Sequence, residues 1–395
     1  VKAAVVRNAR TVSRVASVPY STRHDHDRVE TDPGELLSAV RGAIHRVGAA
    51  ARRVEAVAPA SVCPAWLAMD ARGNPITPLI THQDRRAVAQ AEALLAELGP
   101  KRWLAKSGNL PFPGSISAAT IAWFNRRHRA TMRRADLIGH VQTWLHRVLT
   151  GARVIDPSHA SYTGLYSTVD QSGWNEELCA LVGATEHQLP QIVEAEGMAG
   201  MVTRSGGRRF GLTHGTPVLT GCLSTSAAML LAGAKPGGVV HLCGSTDLLA
   251  VCTDRARPHS QLVTGALGVG RRWVSTSALA AGSAISRARR ALCADVSDAA
   301  FWKLVDDLSH NRRVAARRAT SADHDILRTL LDALAKMSET RLRLLREAGV
   351  RIDRRVVAGG SLGRAMGKLM RRDWRGSWRV KSVEHAGLCG LSRLL

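Results

Sequence analysis

The sequence predicts an α/β protein of two domains, on three segments in which an apolar strand runs into a glycine turn. In the first, Pro217 to Thr220 reads as a short buried strand that Gly221 breaks, after which Ser224 or Thr225 caps a helix to about Leu231. In the second, the apolar run Val239 to Cys243 enters Gly244-Ser245-Thr246. The third, Val356-Val-Ala-Gly-Gly-Ser361, opens a helix over 362–372. Small residues at such turns let the backbone come close to a ligand, and exposed N–H groups there suit an anion such as phosphate. Their recurrence points to nucleotide-type sites.

At 395 residues the chain is long enough for two cores, and 45% hydrophobic content marks it as globular. The longest apolar candidate, 217–234, is broken by Gly, Ser and Thr, which excludes a membrane span there. Arg7, Arg10 and Arg14 interrupt any signal-peptide core. Seven scattered cysteines form no CxxC pair and no zinc spacing, so they read as reduced thiols of a cytoplasmic protein. The formal charge of +23 raises nucleic acid as a partner. Against it, all but eight of the basic residues are Arg, they are spread along the chain, and four Phe and three Tyr leave few rings to stack bases. The densest run, Arg312 to Arg318, reads as an exposed loop.

In chain order, 1–18 predicts two strands around a turn at Arg7–Arg10. Residues 20–28 read as a solvated loop, because alternating His24, Asp25, His26 and Asp27 cannot all face one ion; no residue is assigned to a metal. Asp32 or Thr31 with Pro33 caps a helix over 34–53, whose Leu36, Leu37, Val40, Ile44 and Val47 make a core stripe. A strand over 54–62 leads to Cys63-Pro64, and a hairpin over 66–78 delivers Gln83 to Arg86 to a strand end. Helices follow over 87–98, 115–126 and 134–150. Glycines at 197, 200, 206, 207, 211 and 215 mark a turn-rich stretch, placing the domain boundary between 213 and 214. Beyond it come strands over 263–277, a small-residue helix over 278–292, and a long helix over 321–349 striped by Ile326, Leu330, Leu334 and Met337.

Taken together and in order, these motifs resemble the FGGY family of carbohydrate kinases, the group containing xylulokinase and glycerol kinase. The resemblance is clearest over 217–255 and 352–395. It implies two actin-like ATPase (ribonuclease H-like) domains with an interdomain cleft: residues 1–213 binding sugar and 214–395 binding nucleotide. It implies that Gly244, Ser245 and Thr246 hold the phosphates of ATP, and that Gly359 and Gly360 let adenosine approach the backbone. Thr81-His-Gln-Asp-Arg-Arg86 is similar to the family's Trp-x-Asp-x-Arg substrate segment, with Asp84 and Arg86 at the matching places. Val29-Glu-Thr-Asp-Pro33 resembles its Glu-x-Asp-Pro, and Asp156-Pro-Ser-His-Ala160 its Asp-x-Ser-x-Ala. ATP with Mg²⁺ and a small sugar or polyol are the implied cofactors and substrate, with no membrane; a homodimer stays open.

Three departures bear on activity. The family's opening Asp-x-Gly-Thr turn has no counterpart before Val1-Lys-Ala-Ala-Val-Val6, which suggests a truncated or alternatively started reading frame. Its general-base Asp falls where this chain has Ser224, and a serine hydroxyl is no base at neutral pH. Its late Tyr-Leu-x-Gly-(Glu/Asp)-Arg segment is replaced by 310–318. The expectation is a xylulokinase-like kinase that turns over slowly or not at all. The alternative is a non-catalytic sugar- or nucleotide-binding remnant of the fold. Cys63-Pro64, where related kinases carry a polar sugar contact, leaves the sugar unnamed.

Overall fold

A computed structural model describes residues 1–309, 321–360 and 363–395. The inner strands of its two main sheets are buried on both faces, and that explains their continuous apolar runs, while the edge strands Arg23–Asp25 and Arg379–Ser382 are exposed. In the first, Leu137–His140, Ala65–Met69, Leu79–Thr81, Arg28–Thr31 and Arg23–Asp25 lie in that order, all antiparallel. Side chains alternate across a strand. Trp66 and Ala68 therefore meet one core, with Ile80, Ile121 and Ile138, while Ala65, Leu67 and Met69 meet another, with Leu36, Leu137 and Trp144. The Trp66 indole donates to Thr120 Oγ1 at 2.8 Å, so the large ring is buried with its polar atom satisfied.

The second sheet runs Val263–Ala266, Trp273–Leu279, Asp247–Thr253, Val239–Cys243, Arg355–Gly359, Arg379–Ser382. Its first four strands pair antiparallel and the last two join in parallel. Val239, Leu249, Val251, Val356 and Ala358 face one core, and Val240, Ala250, Cys252 and Val357 the other.

Local signals placed several elements well. Asp32 caps the helix Pro33–Val47, accepting from the Glu35 N–H at 2.7 Å. Lys2–Ala3 pairs with Ala16–Ser17 and Val6–Arg7 with Arg10–Thr11, the turn made by positive φ at Asn8 and Ala9. Other expectations are corrected. The 20–28 stretch is a hairpin, not a loop, with His24, Asp25, His26 and Asp27 exposed. Only Ala60–Ser61 of the 54–62 strand forms. The helix expected over 134–150 is a strand, Leu137–His140, followed by the helix Val141–Thr150, because pairing with Ala65–Met69 outweighs helical periodicity.

In Ser321–Glu347 the buried stripe is Leu327, Leu331, Leu334 and Ala335, continuing to Leu342 and Leu345; Ile326 and Met337 are exposed. The Arg312–Arg318 run, Ser361 and Leu362 lie outside the described residues.

Candidate functional site

The second sheet brings two of the glycine turns together. Val239–Cys243 and Arg355–Gly359 are parallel neighbours, with Leu242 opposite Gly359, so both strands end at the same edge. Gly360 follows at φ +116°, and a Cβ there would lie 2.1 Å from the Cys243 carbonyl oxygen. Only glycine fits this approach. The contact continues: a Cβ on Gly359 would touch the Ala386 methyl at 3.1 Å, and one on Gly387 would lie 3.3 Å from the Ser224 Cβ. Gly244, Gly359, Gly360 and Ser224 thus belong to one connected region.

Gly244-Ser245-Thr246 is the turn of a hairpin, leading into Asp247–Thr253 and not into a helix. Its own bonds use some of the expected donors: the Gly244 N–H donates to the Thr246 carbonyl at 3.1 Å. The Ser245 carbonyl accepts from the Ser283 N–H at 2.9 Å, which leaves the exposed Ser245 facing solvent from a braced turn.

Beneath the turn lies a buried charge cluster that sequence reasoning missed. His241 Nε2 donates to Asp247 at 2.8 Å, Arg341 bonds the other Asp247 oxygen at 2.6 Å, and Arg371 donates to His241 Nδ1 at 2.8 Å. Burial alone would raise the Asp247 pKa, but His241 and Arg341 overcome it and bring the carboxyl down to about 2. His241 is pushed down by its burial against the pull of Asp247. His241, Cys243 and Asp247 lie close enough to share a cation. Two guanidinium groups already hold Asp247 and His241, however, and a hard cation such as Mg²⁺ wants oxygen ligands and water. The donor set does not fit Mg²⁺.

Ser224 opens the helix Ser224–Leu231 and is half-buried. Gly221 before it has φ +68°, and a Cβ there would meet the Pro59 carbonyl oxygen at 2.1 Å. The adjoining strand, Cys222–Leu223, runs parallel to Ala60–Ser61, with Leu223 opposite Ser61. Pro217–Leu219 likewise pairs with Met198–Met201. The segment expected to open the second domain therefore hydrogen-bonds to the first.

Around these strands sits a second buried polar network. Ser61 Oγ is 2.8 Å from His159 Nε2, and His159 Nδ1 is 2.5 Å from Asp156 Oδ1. The other Asp156 oxygen accepts from the Ser158 N–H at 2.8 Å and from the Ser158 hydroxyl, which in turn accepts from the Leu223 N–H at 3.0 Å. Next to it, His140 lies between Cys63 Sγ at 3.1 Å and Ser117 Oγ at 3.0 Å. Burial, and then the neighbouring His159, bring the His140 pKa down to about 3; burial brings His146 to about 4. Burial also pushes the Cys63 thiol up, so it stays protonated. The Asp-x-Ser-x-Ala segment was the available signal for Asp156, but nothing in the sequence joined it to Ser61.

Asp84 and Arg86 are together, but turned inward. Arg86 Nε lies 3.0 Å from both Asp84 oxygens, the Val29 N–H donates to Asp84 at 2.8 Å, and Arg86 also bonds Glu30 at 2.5 Å. The guanidinium sits 5.2 Å from the Trp123 ring centroid. With Asp84 fully buried and both its oxygens engaged, the pair ties the 82–86 turn to the strand Arg28–Thr31. A cavity of about 920 Å³ lies elsewhere, between 151–154 and 186–199, and none of the residues expected to bind substrate or nucleotide lines it.

Comparison with known proteins follows the same lines. A model of the FGGY family of carbohydrate kinases, N-terminal domain, matches residues 1–231. A xylulose kinase of Streptomyces coelicolor is 30% identical over 65% of this chain and 52% of its own length. A glycerol kinase of Roseobacter denitrificans is 32% identical over 46% of this chain and 38% of its own. The chain spans about half the length, or less, of these curated relatives. Among solved structures, the xylulose kinase from Rhodospirillum rubrum superposes with a TM-score of 0.82 at 22% identity, covering 98% of this chain and 86% of that one. The Plasmodium falciparum glycerol kinase with ADP gives 0.78 at 15% identity, covering 98% and 85%. The fold is therefore the expected pair of actin-like, ribonuclease H-like α/β domains.

Proposed function

We propose that this chain, which belongs to the FGGY family of carbohydrate kinases, transfers the γ-phosphoryl group of ATP to a hydroxyl of a small sugar or polyol. The observation that supports the reading is the seating of Gly360 on Cys243, which sets the 244–246 and 359–360 turns side by side and in contact, through Ala386 and Gly387, with the 224 position. Kinship with xylulose and glycerol kinases supplies the substrate class.

In this reading Ser245 and Thr246 meet the phosphates, and Gly359 and Gly360 admit adenosine. The nucleotide half comprises residues after about 223; the sugar half is 1–213 together with the 217–223 strands paired to it. Asp84 and Arg86 shape the sugar side by fixing the 82–86 turn, through the ion pair already described. Mg²⁺ enters with ATP as the metal–nucleotide substrate, and no residue here is assigned to it. Phosphoryl transfer is chiefly positioning and charge stabilisation, so what the chain must add is an in-line hydroxyl, exclusion of water and somewhere for the hydroxyl proton to go.

The alternative to be separated from it is a binding remnant without turnover, since losing a general base costs roughly 10²–10⁴ in rate. Thermal-shift measurements with ADP and with a panel of pentuloses and polyols, beside a coupled ADP-release assay, separate the two. Ligand-dependent stabilisation with turnover supports the kinase; stabilisation without turnover supports the remnant. No shift and no turnover would sink both.

A further inference from the structure

We propose that Ser61, His159 and Asp156 form the proton-accepting chain of the transfer, in place of the carboxylate that position 224 lacks; the inference rests on the kinase reading above. Asp156 and His159 are fully buried, and their 2.5 Å contact fixes the proton on His159 Nδ1. The free lone pair on Nε2 then faces Ser61 Oγ at 2.8 Å. A hydroxyl, an imidazole and a buried carboxylate in series is the arrangement by which a serine is made to give up its proton.

Two observations direct this chain to the 224 region. Ser61 stands opposite Leu223 in the parallel pair, one residue from Ser224. The Leu223 N–H is bonded to Ser158, whose own N–H and hydroxyl hold Asp156, so the same carboxylate braces both the relay and the backbone leading to position 224. Ser61 is itself only half-buried, unlike the fully buried His159 and Asp156 behind it, so the serine is the outward end of the chain.

The step balances without a further reactant. As the sugar oxygen bonds to the γ-phosphorus, the bond from that phosphorus to its bridging oxygen breaks and its electron pair leaves on ADP. The sugar hydroxyl proton passes to Ser61 Oγ while the serine proton passes to His159 Nε2. The imidazolium so formed is paired with Asp156, and its proton returns through Ser61 to solvent after product leaves. Ser61 and His159 are catalytic in this scheme; Asp156 is a positioning residue.

The test compares the wild-type chain with Ser61→Ala, His159→Gln, Asp156→Asn, and the double variant Ser61→Ala/Ser224→Asp. Each is assayed for ADP release with MgATP and the best-stabilising sugar, and each is checked for its thermal shift with ADP. Ser61→Ala removes one half-buried oxygen and should fold; its kcat should fall by about 10²–10⁴ with KM for ATP unchanged. Asp156→Asn should show the same split between kcat and KM. The double variant should regain turnover, because a carboxylate at 224 bypasses the relay.

Equal turnover in Ser61→Ala and wild type overturns the proposal while leaving the kinase reading intact. A wild-type chain that is stabilised by sugar and ADP yet never turns over overturns the proposal together with the kinase reading, in favour of the remnant. A wild-type chain that neither binds nor turns over overturns the kinase reading itself.

Discussion

Acid should unfold this protein through its interior histidines before its carboxylates matter. His140 is held down to about 3 and His146 to about 4, both chiefly by burial, against 6.5 for the free side chain. A depressed folded pKa means that the unfolded chain takes up the proton first. The stabilisation is therefore complete above 6.5 and is lost progressively as pH falls toward those folded values. Between pH 7 and pH 5 each histidine should forfeit about 2 kcal/mol, obtained by integrating the linkage relation with the folded form unprotonated. Set against a typical ~5–15 kcal/mol of total stability, two such groups are decisive.

His146 shows why the proton is refused. Its Nε2 lies 2.9 Å from the Thr220 carbonyl, which takes the N–H of the neutral ring, while its Nδ1 is buried with no partner among the described residues. A second proton would sit on Nδ1 with nothing to accept it. Urea denaturation at pH 7, 6 and 5 measures the effect. His146→Gln keeps a donor for Thr220 and removes the titration, so it should lose about 2 kcal/mol less than wild type over that range. Parallel pH dependence in the two proteins would refute the reasoning.

Further outcomes follow from single contacts. Gly360→Ala must place a methyl 2.1 Å from the Cys243 carbonyl at φ +116°; backbone strain alone should cost about 1–3 kcal/mol in urea denaturation, and the thermal shift with ADP should disappear. Arg86→Ala leaves the fully buried Asp84 without its cation and should cost about 3–5 kcal/mol, whereas an exposed pair such as Arg343 with Glu347 should be worth less than about 1 kcal/mol when broken. On the long helix, Leu334→Ala should cost about 2–5 kcal/mol and Ile326→Ala within about 0.5, measured by urea midpoints. Comparable losses at the two positions would reverse the buried stripe.

What the sequence determined by itself is whatever is encoded in neighbouring residues. The Asp32 cap with Pro33, the 1–18 hairpins, the helix from Ser224 and the glycine turns at 244 and 359–360 are all properties of a few adjacent side chains and their φ preferences. The order of those signals was enough to identify the fold. Tertiary structure decided everything that depends on partners distant in the chain. Leu137–His140 is a strand because Ala65–Met69 offers it a ladder, against a helical pattern of its own.

The 217–223 segment joins the first half through pairing that local composition does not encode, and Asp84 turns inward because Arg86 and the Val29 N–H are there to satisfy it. The same reason hid the two buried networks. Asp247 meets Arg341 across 94 positions, and Ser61 meets His159 across 98. A buried charge or hydroxyl is stabilised by whatever the fold sets against it, and spacing along the chain carries no trace of that partner.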